Sequence, residues 1–342
     1  MKAVIFRAHG GPDKLSYEDV PMPAIGPDEI LVKVKACALN HLDIWVRQGN
    51  PAYPMPLPHI SGSDVAGLVE QVGAQVDGLT VGQRVFVSPG ISCWRCEACL
   101  AGRDNFCRSY GLLGAMVAGG YAEYVKVPFR NVLPIPGNLM FEEAAAFPLV
   151  SVTAWHMLFA LADLKVGETV LIMGAGSGVG HVAVQLVHLA GARVITTVGS
   201  DDKIPKAVML GAHAVINHTT EKVAERVRLL TEGRGVDVVI EHIGPEVWDS
   251  CLASLARGGR LITCGATTGP EVKLDLRYVY SRQYTIKGSY MGTRAELAKA
   301  AELFGQGKLK PVIDRTYPLQ EARAAQEYML SRKFFGKIVL TI

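Results

Sequence analysis

A strong charge of either sign, a long apolar run and an internal repeat are all missing from this sequence. Thirty-five Lys and Arg stand against 32 Asp and Glu in 342 residues, a net charge of +3. So mild an excess makes neither nucleic acid nor a membrane surface an expected partner. No run of about 18 apolar residues occurs, so no membrane-spanning helix is expected. No low-complexity segment is present. The N-terminal MKAVIFRAHGGPD reads as a short strand and a turn, without the apolar core of a signal peptide. Few cysteines lie outside one cluster, so a reducing, cytoplasmic location is expected.

What is present is a globular composition, 49% hydrophobic and 20% charged. The chain is long for a single core, which points to two domains. The most specific signal is CWRCEACLAGRDNFC, where Cys93, Cys96, Cys99 and Cys107 follow the spacing C-x2-C-x2-C-x7-C. Short spacers turn successive thiolates onto one ion, and a site of four sulfurs leaves no open position, as in structural zinc sites. Iron is the competing metal; free thiols or two disulfides are the readings without one. Arg95, Arg103 and Arg108 are offset by Glu97 and Asp104, too balanced for a zinc-ribbon nucleic-acid binder. Cys251 and Cys264 sit in apolar surroundings and read as buried small hydrophobes.

Up to about residue 145 short β-type runs (ILVKVKACAL, VAGLVEQVG, RVFVS, AEYVKVP) alternate with Pro- and Gly-rich turns. The texture then changes. EEAAAFPLVSVTAWHMLFALADL has helical length and period, and short apolar strands alternate with helices after it. The strands are ETVLIMG, RVITTVG, AVINH, VDVVIEHIG and RLITCGA; the helices include one over 220–232 and one ending at Arg257. Asp202 is the expected N-cap of a helix with Pro205 in its first turn. Such alternation means an α/β fold with a parallel sheet of βαβ units. RAELAKAAELFGQG is a helix that stops at glycine, and KIVLTI is a final strand that rejoins the N-terminal β-rich domain.

LIMGAGSGVGHVAVQL places a glycine loop between a strand and a helix, the setting in which glycines accept a pyrophosphate on a helix N-terminus. The dinucleotide-binding candidates are Gly174, Gly176, Ser177, Gly178, Val179 and Gly180, with Gly199, Ser200 and Lys203 at the end of the next strand. That strand ends Val198-Gly199-Ser200, with no carboxylate to grip a ribose 2′-hydroxyl. Asp201 and Asp202 come late and read as helix-start residues. Lys203 could attract a 2′-phosphate, so NADPH is favoured over NADH.

In HLDIWVRQG, GSDVAGLVEQVG, the cysteine lobe, GAGSGVG and GKIVL, the chain resembles the medium-chain dehydrogenase/reductase superfamily of zinc alcohol dehydrogenases and quinone oxidoreductases. The resemblance covers essentially the whole chain. It implies a Rossmann doubly wound parallel sheet over 148–285 and a discontinuous, β-rich GroES-like domain over 1–147 and 286–342, with the zinc lobe at 90–110. It also implies an active-site cleft between the domains and a homodimer or homotetramer, in which TIKGSYMG could extend the Rossmann sheet across subunits.

By position, Asn40 stands where the alcohol dehydrogenases carry one Cys of a catalytic zinc. Ser63 and Asp64 match the His and Glu of their GHE sequence, and Leu149 falls at the second Cys. Asn and Ser are poor zinc ligands and Leu is none. The quinone-oxidoreductase branch has Asn at the position of Asn40, but it commonly lacks the cysteine lobe and has Tyr where Trp45 stands. Thr153 matches a threonine that helps position the cofactor.

The expected activity is hydride transfer to or from a small-molecule carbonyl or alcohol substrate, with reduction of a conjugated enone or quinone without catalytic zinc favoured. Asn40 is the expected donor to the developing oxyanion, His41 a proton relay and Asp64 a hydrogen-bonding partner. Asp43 and Arg47, four apart on a helix, are expected to form an ion pair. Tyr53 and Tyr110 are candidate pocket walls. Two alternatives stand beside this: a zinc alcohol dehydrogenase with substitute ligands from His41, Asp43, His59 and Asp64, and a non-catalytic cofactor-binding protein.

Overall fold

The computed structural model describes residues 1–342 and divides into two compact units, Met1–Leu149 with Thr293–Ile342, and Val150–Gly292. The first unit is built on a seven-stranded sheet. Its order is Ile313–Pro318, Lys337–Thr341, Glu29–Ala38, Asp64–Val72, Arg84–Val87 and Val132–Pro134, with Tyr124–Pro128 also pairing to Glu29–Ala38. Alternate β-branched side chains of these strands, among them Val32, Val34, Val65, Val69, Val85 and Val125, meet in one core. Each such side chain removed from water contributes about 1.5–3 kcal/mol.

KIVLTI rejoins this unit as expected. Lys337–Thr341 runs antiparallel to Glu29–Ala38, with Val339 opposite Ala38 and Leu340 opposite Cys37. The pairing returns the end of the chain to the segment just before Asn40.

The second unit is a six-stranded sheet, parallel throughout. The strand order is Ala214–Asn217, Arg193–Val198, Thr169–Ile172, Val236–Glu241, Leu255–Thr263 and Thr285–Gly288. Taken in chain order this is 3-2-1-4-5-6, the doubly wound Rossmann arrangement, whose direction reverses beside the first strand. Val170, Leu171 and Ile172 are all fully buried, as a strand covered on both faces requires.

Several boundaries differ from expectation. The single helix expected from 142 onward is three pieces, Phe141–Ala145, Pro148–Trp155 and a π-helical His156–Leu161. Pro148 has no N–H for the preceding turn and disfavours helical backbone before it, so it starts a new helix. Helix 220–232 contracts to Val223–Leu230, and the helix expected to reach Arg257 ends at Ser254, where the next strand takes over. Ser200, not Asp202, flanks the helical turn Asp201–Lys203; Pro205 does fall in the first turn of Ile204–Met209. The expected boundary at 285/286 lies inside Thr285–Gly288, which pairs with Leu255–Thr263, and the units divide at 292/293.

Candidate functional site

Strand Glu29–Ala38 gives way at Asn40 to helix His41–Gln48, and Asn40 is its N-cap with extended backbone (φ −129°, ψ 155°). Asn40 and Asp43 form a capping box, in which Asp43 at the third helical position accepts the Asn40 backbone N–H at 2.8 Å. The Asn40 amide also faces a buried cluster. Its Nδ2 donates to Asp64 Oδ2 at 2.9 Å, and its Oδ1 accepts from Lys337 Nζ at 2.7 Å. Lys337 Nζ also donates to Asp64 Oδ2 at 3.0 Å, and Asp64 Oδ1 accepts the Leu149 N–H at 2.7 Å. Asp64 is 0% exposed, Lys337 2% and Asn40 6%, so a paired charge and an amide share a dry site.

Asp43 anchors the floor of this cluster. Besides Asn40 it accepts from Tyr121 Oη at 3.0 Å and from the Gly62 N–H at 3.1 Å. Burial outweighs these bonds and pushes its carboxyl up to about 6. Gly62 is required here: its φ is +106°, and a Cβ would lie 2.5 Å from the Tyr121 ring and 2.7 Å from Cys37 Sγ. The expected Asp43–Arg47 ion pair does not form. Asp43 is held by the loops at 40 and 62, whereas Arg47, also fully buried, donates to Gln326 Oε1 at 2.8 Å and to the Gly10 carbonyl.

The other sequence candidates have these places. His41 is half-buried, edge-on to Trp45 with ring centroids 5.0 Å apart. His59 is buried, with Nε2 3.1 Å from the Gly114 carbonyl and burial pushing its pKa down. Ser63 is fully buried and its Oγ has no protein partner. Tyr53 is half-buried after the turn at Asn50; Tyr110 belongs to the cysteine lobe, where its N–H bonds to the Cys107 carbonyl. The carboxylates of Asp43 and Asp64 and the Nε2 of His59 are thus engaged with protein partners.

The cysteine lobe has the opposite chemistry. The four Sγ atoms of Cys93, Cys96, Cys99 and Cys107 lie within 4.8 Å of one another, with Cys96 and Cys99 3.6 Å apart, and no cysteine is in a disulfide. A tetrahedral ion with bonds of about 2.3 Å needs sulfurs roughly 3.8 Å apart, so the set fits zinc. The backbone N–H groups of Arg95 and Cys96 pull the Cys93 thiol down to about 6, while burial pushes Cys99 up to about 12. The lobe is fastened by Asp104, whose carboxylate accepts the Arg294 N–H at 3.1 Å, at the start of helix Arg294–Gly305.

In the Rossmann unit, the loop after Thr169–Ile172 opens helix Gly178–Leu189. Ser177 caps that helix, its Oγ accepting the Gly180 N–H at 2.8 Å. Gly174 has φ +73°, and a Cβ on Gly180 would lie 2.0 Å from the Gly174 carbonyl oxygen, so the turn closes only on glycine. Gly176, Gly178 and Val179 lie at the start of that helix, where backbone N–H groups without an intrahelical carbonyl suit a pyrophosphate. Thr197 supports it by accepting the Gly174 N–H at 2.9 Å. Beyond Val198, Gly199 lies against the His218 ring and Ser200 leads into the turn holding Lys203. Asp201 accepts from Asn217 Nδ2 at 2.7 Å, so its carboxylate is tied to the neighbouring strand. Thr153 is buried on helix Pro148–Trp155.

Two residues escaped the sequence reading. Lys337 lies in GKIVL, a family motif at the start of the final strand, and its partners are 297 and 273 positions away. His242, at the carboxyl end of the fourth strand, puts Nε2 3.0 Å from both Ser177 Oγ and the Met173 carbonyl, bracing the glycine loop. Its place in EHIG, at a strand end beside the loop strand, was the available signal.

Comparison with known proteins agrees with this construction. The zinc-binding dehydrogenase family model matches residues 178–306, and the alcohol dehydrogenase GroES-like domain matches 26–137. An alcohol dehydrogenase of Geobacillus stearothermophilus is 33% identical, covering 100% of both chains. A quinone oxidoreductase of Lama guanicoe is 31% identical over 100% of this chain and 98% of its own. The crystal structure of an NAD-dependent alcohol dehydrogenase superposes with a TM-score of 0.96 at 44% identity, covering 100% of each chain. The chain therefore belongs to the medium-chain dehydrogenase/reductase superfamily of alcohol dehydrogenases and quinone oxidoreductases, and is an NAD(P)-dependent oxidoreductase.

Proposed function

We propose that this protein is an NADPH-dependent reductase of conjugated enones or quinones that works without a catalytic zinc. One observation carries the reading: where a metal-dependent relative would gather ligands, Asn40, Asp64 and Lys337 form a hydrogen-bonded, charge-paired cluster. An ammonium already occupies the bonding positions of Asn40 Oδ1 and Asp64 Oδ2. The substitute-ligand alternative would draw Asp43 and Asp64 away from bonds to Tyr121, Gly62 and Leu149.

The bound cofactor supplies hydride chemistry. Asn40 donates its remaining Nδ2 hydrogen to the substrate carbonyl oxygen, stabilising the negative charge that develops there. A conjugated acceptor asks little more, because hydride arrives at the β-carbon and the charge delocalises onto that oxygen. His41, beside the cap, relays the proton that completes the reduced product. Gly174, Gly176, Ser177, Gly178, Val179 and Gly180 hold the pyrophosphate, with Thr153 positioning the cofactor. The preference for NADPH rests on Val198-Gly199-Ser200, which offers a 2′-phosphate no opposing carboxylate, and on the nearby Lys203.

The test is NADPH oxidation with 1,2-naphthoquinone and with an α,β-unsaturated ketone, measured for wild type and Asn40→Ala. Turnover that falls on the order of 10²-fold in the variant, with NADPH affinity unchanged, is the expected result. A variant as fast as wild type would remove Asn40 from the chemistry. Turnover with simple alcohols that depends on added zinc would overturn the whole reading.

A further inference from the structure

We propose that Lys337 is a positioning residue, which together with Asp64 clamps the Asn40 amide in one orientation and so presents its free Nδ2 hydrogen to the substrate oxygen. The proposal rests on the reading of Asn40 as the carbonyl donor.

An amide side chain can turn end for end, exchanging acceptor for donor, unless its neighbours forbid it. Here both ends are specified. Lys337 Nζ, which can only donate, faces Oδ1 at 2.7 Å; the Asp64 carboxylate, which can only accept, faces Nδ2 at 2.9 Å. The two charged groups close the ring with their own contact of 3.0 Å. Turned over, the amide would set its NH2 against an ammonium and its oxygen against a carboxylate. The cluster is nearly solvent-free, so neither conflict would be relieved by water.

Asp64 takes one Nδ2 hydrogen, and the direction of the other is fixed once the amide plane is fixed. Lys337 also neutralises Asp64, whose uncompensated charge would repel an oxyanion forming at Asn40. The supporting backbone is rigid: Lys337 begins the strand that pairs with Glu29–Ala38, and the Asn40 N–H is held by Asp43.

A purely structural role, pairing a buried carboxylate, is separable from this one by removing both charges together. In the double variant Lys337→Met/Asp64→Asn neither member of the ion pair is left without the other, and the Asn40 amide is free to turn. The expected result is a protein that retains its melting temperature within a few degrees, its zinc content and its NADPH affinity, but loses kcat on the order of tenfold or more with 1,2-naphthoquinone. In an Asn40→Ala background the same pair of changes should cost no more than about twofold, because the clamp then has nothing to hold.

Wild-type kcat in the double variant, or an equal loss in both backgrounds, would overturn the proposal. If the double variant fails to fold, Lys337→Arg serves, since its planar fork can donate to both Oδ1 and Oδ2. Retention of kcat within about threefold supports the clamp, and a loss as deep as that of Asn40→Ala contradicts it. The two readings fail differently. A fully active Asn40→Ala sinks the carbonyl-donor role, whereas a slow Asn40→Ala beside a fast double variant sinks only the role of Lys337.

Discussion

In the cysteine lobe four soft donors come from one short stretch, Cys93 to Cys107, and converge within 4.8 Å. At Asn40 the cluster draws on segments 24 and 297 residues apart, and its partners are an amide, a carboxylate and an ammonium. The first arrangement is built to surround a cation that the chain does not provide. The second contains its own cation, Lys337, already bonded to both acceptors. One polypeptide thus carries a cysteine lobe that fits a metal and a polar cluster that carries its own cation, and the identity of the first says nothing about the chemistry of the second.

The comparison breaks most visibly in the lobe. Cys96→Ser should abolish zinc retention and, with several kcal/mol of metal-linked folding energy gone, lower the melting temperature by on the order of 10 °C. Protein that stays folded should keep kcat within a few-fold, whereas Asn40→Ala should reduce kcat at unchanged zinc content and melting temperature. Metal analysis, thermal unfolding and turnover on both variants check the crossing pattern.

A similar contrast holds in the cofactor unit. Gly180→Ala places a Cβ 2.0 Å from the Gly174 carbonyl and must open the turn, so NADPH affinity should fall at least about tenfold, read by fluorescence titration. Ser200→Asp leaves that turn intact and adds a carboxylate at the second strand's end. It should shift the NADPH to NADH preference by roughly tenfold toward NADH. An unchanged ratio would sink the assignment of this position to the 2′-phosphate.

The smallest expected effect is a pH dependence at Asp43. Its carboxyl is raised from 3.8 to about 6 by burial, so the folded state holds the proton more tightly than the unfolded chain. Ionised Asp43 therefore costs stability above about pH 6, and the cost disappears as pH falls toward 3.8. Relative to Asp43→Asn, wild type should gain about 1 kcal/mol between pH 7 and pH 5, measured by denaturant unfolding. A constant gap would mean that Asp43 titrates normally.

What was legible in the sequence follows the same division. The cysteine lobe, the glycine loop between strand and helix, and the alternation that became the parallel sheet are local patterns, and periodicity or spacing exposes them. KIVLTI was recognisable as a strand returning to the first unit, because a short β-branched run needs a sheet to complete. That Lys337 at its start would meet Asn40 was not legible, since it depends on strand register set by pairing with Ala36–Ala38. Asp43 and Arg47 had the spacing of an ion pair, yet tertiary partners at Gly62, Tyr121 and Gln326 took both side chains. The hydrophobic period over 142–164 runs on across Pro148, whose missing N–H nevertheless divides the segment into separate helices.

The most direct test of the account is the zinc content of fully active protein. About one zinc per chain is expected, lost in Cys96→Ser and unaffected by His59→Ala or Asp64→Asn, with quinone turnover insensitive to a chelator that leaves the lobe filled. About two zinc ions per chain, the second lost together with activity when His59 or Asp64 is changed, would contradict it.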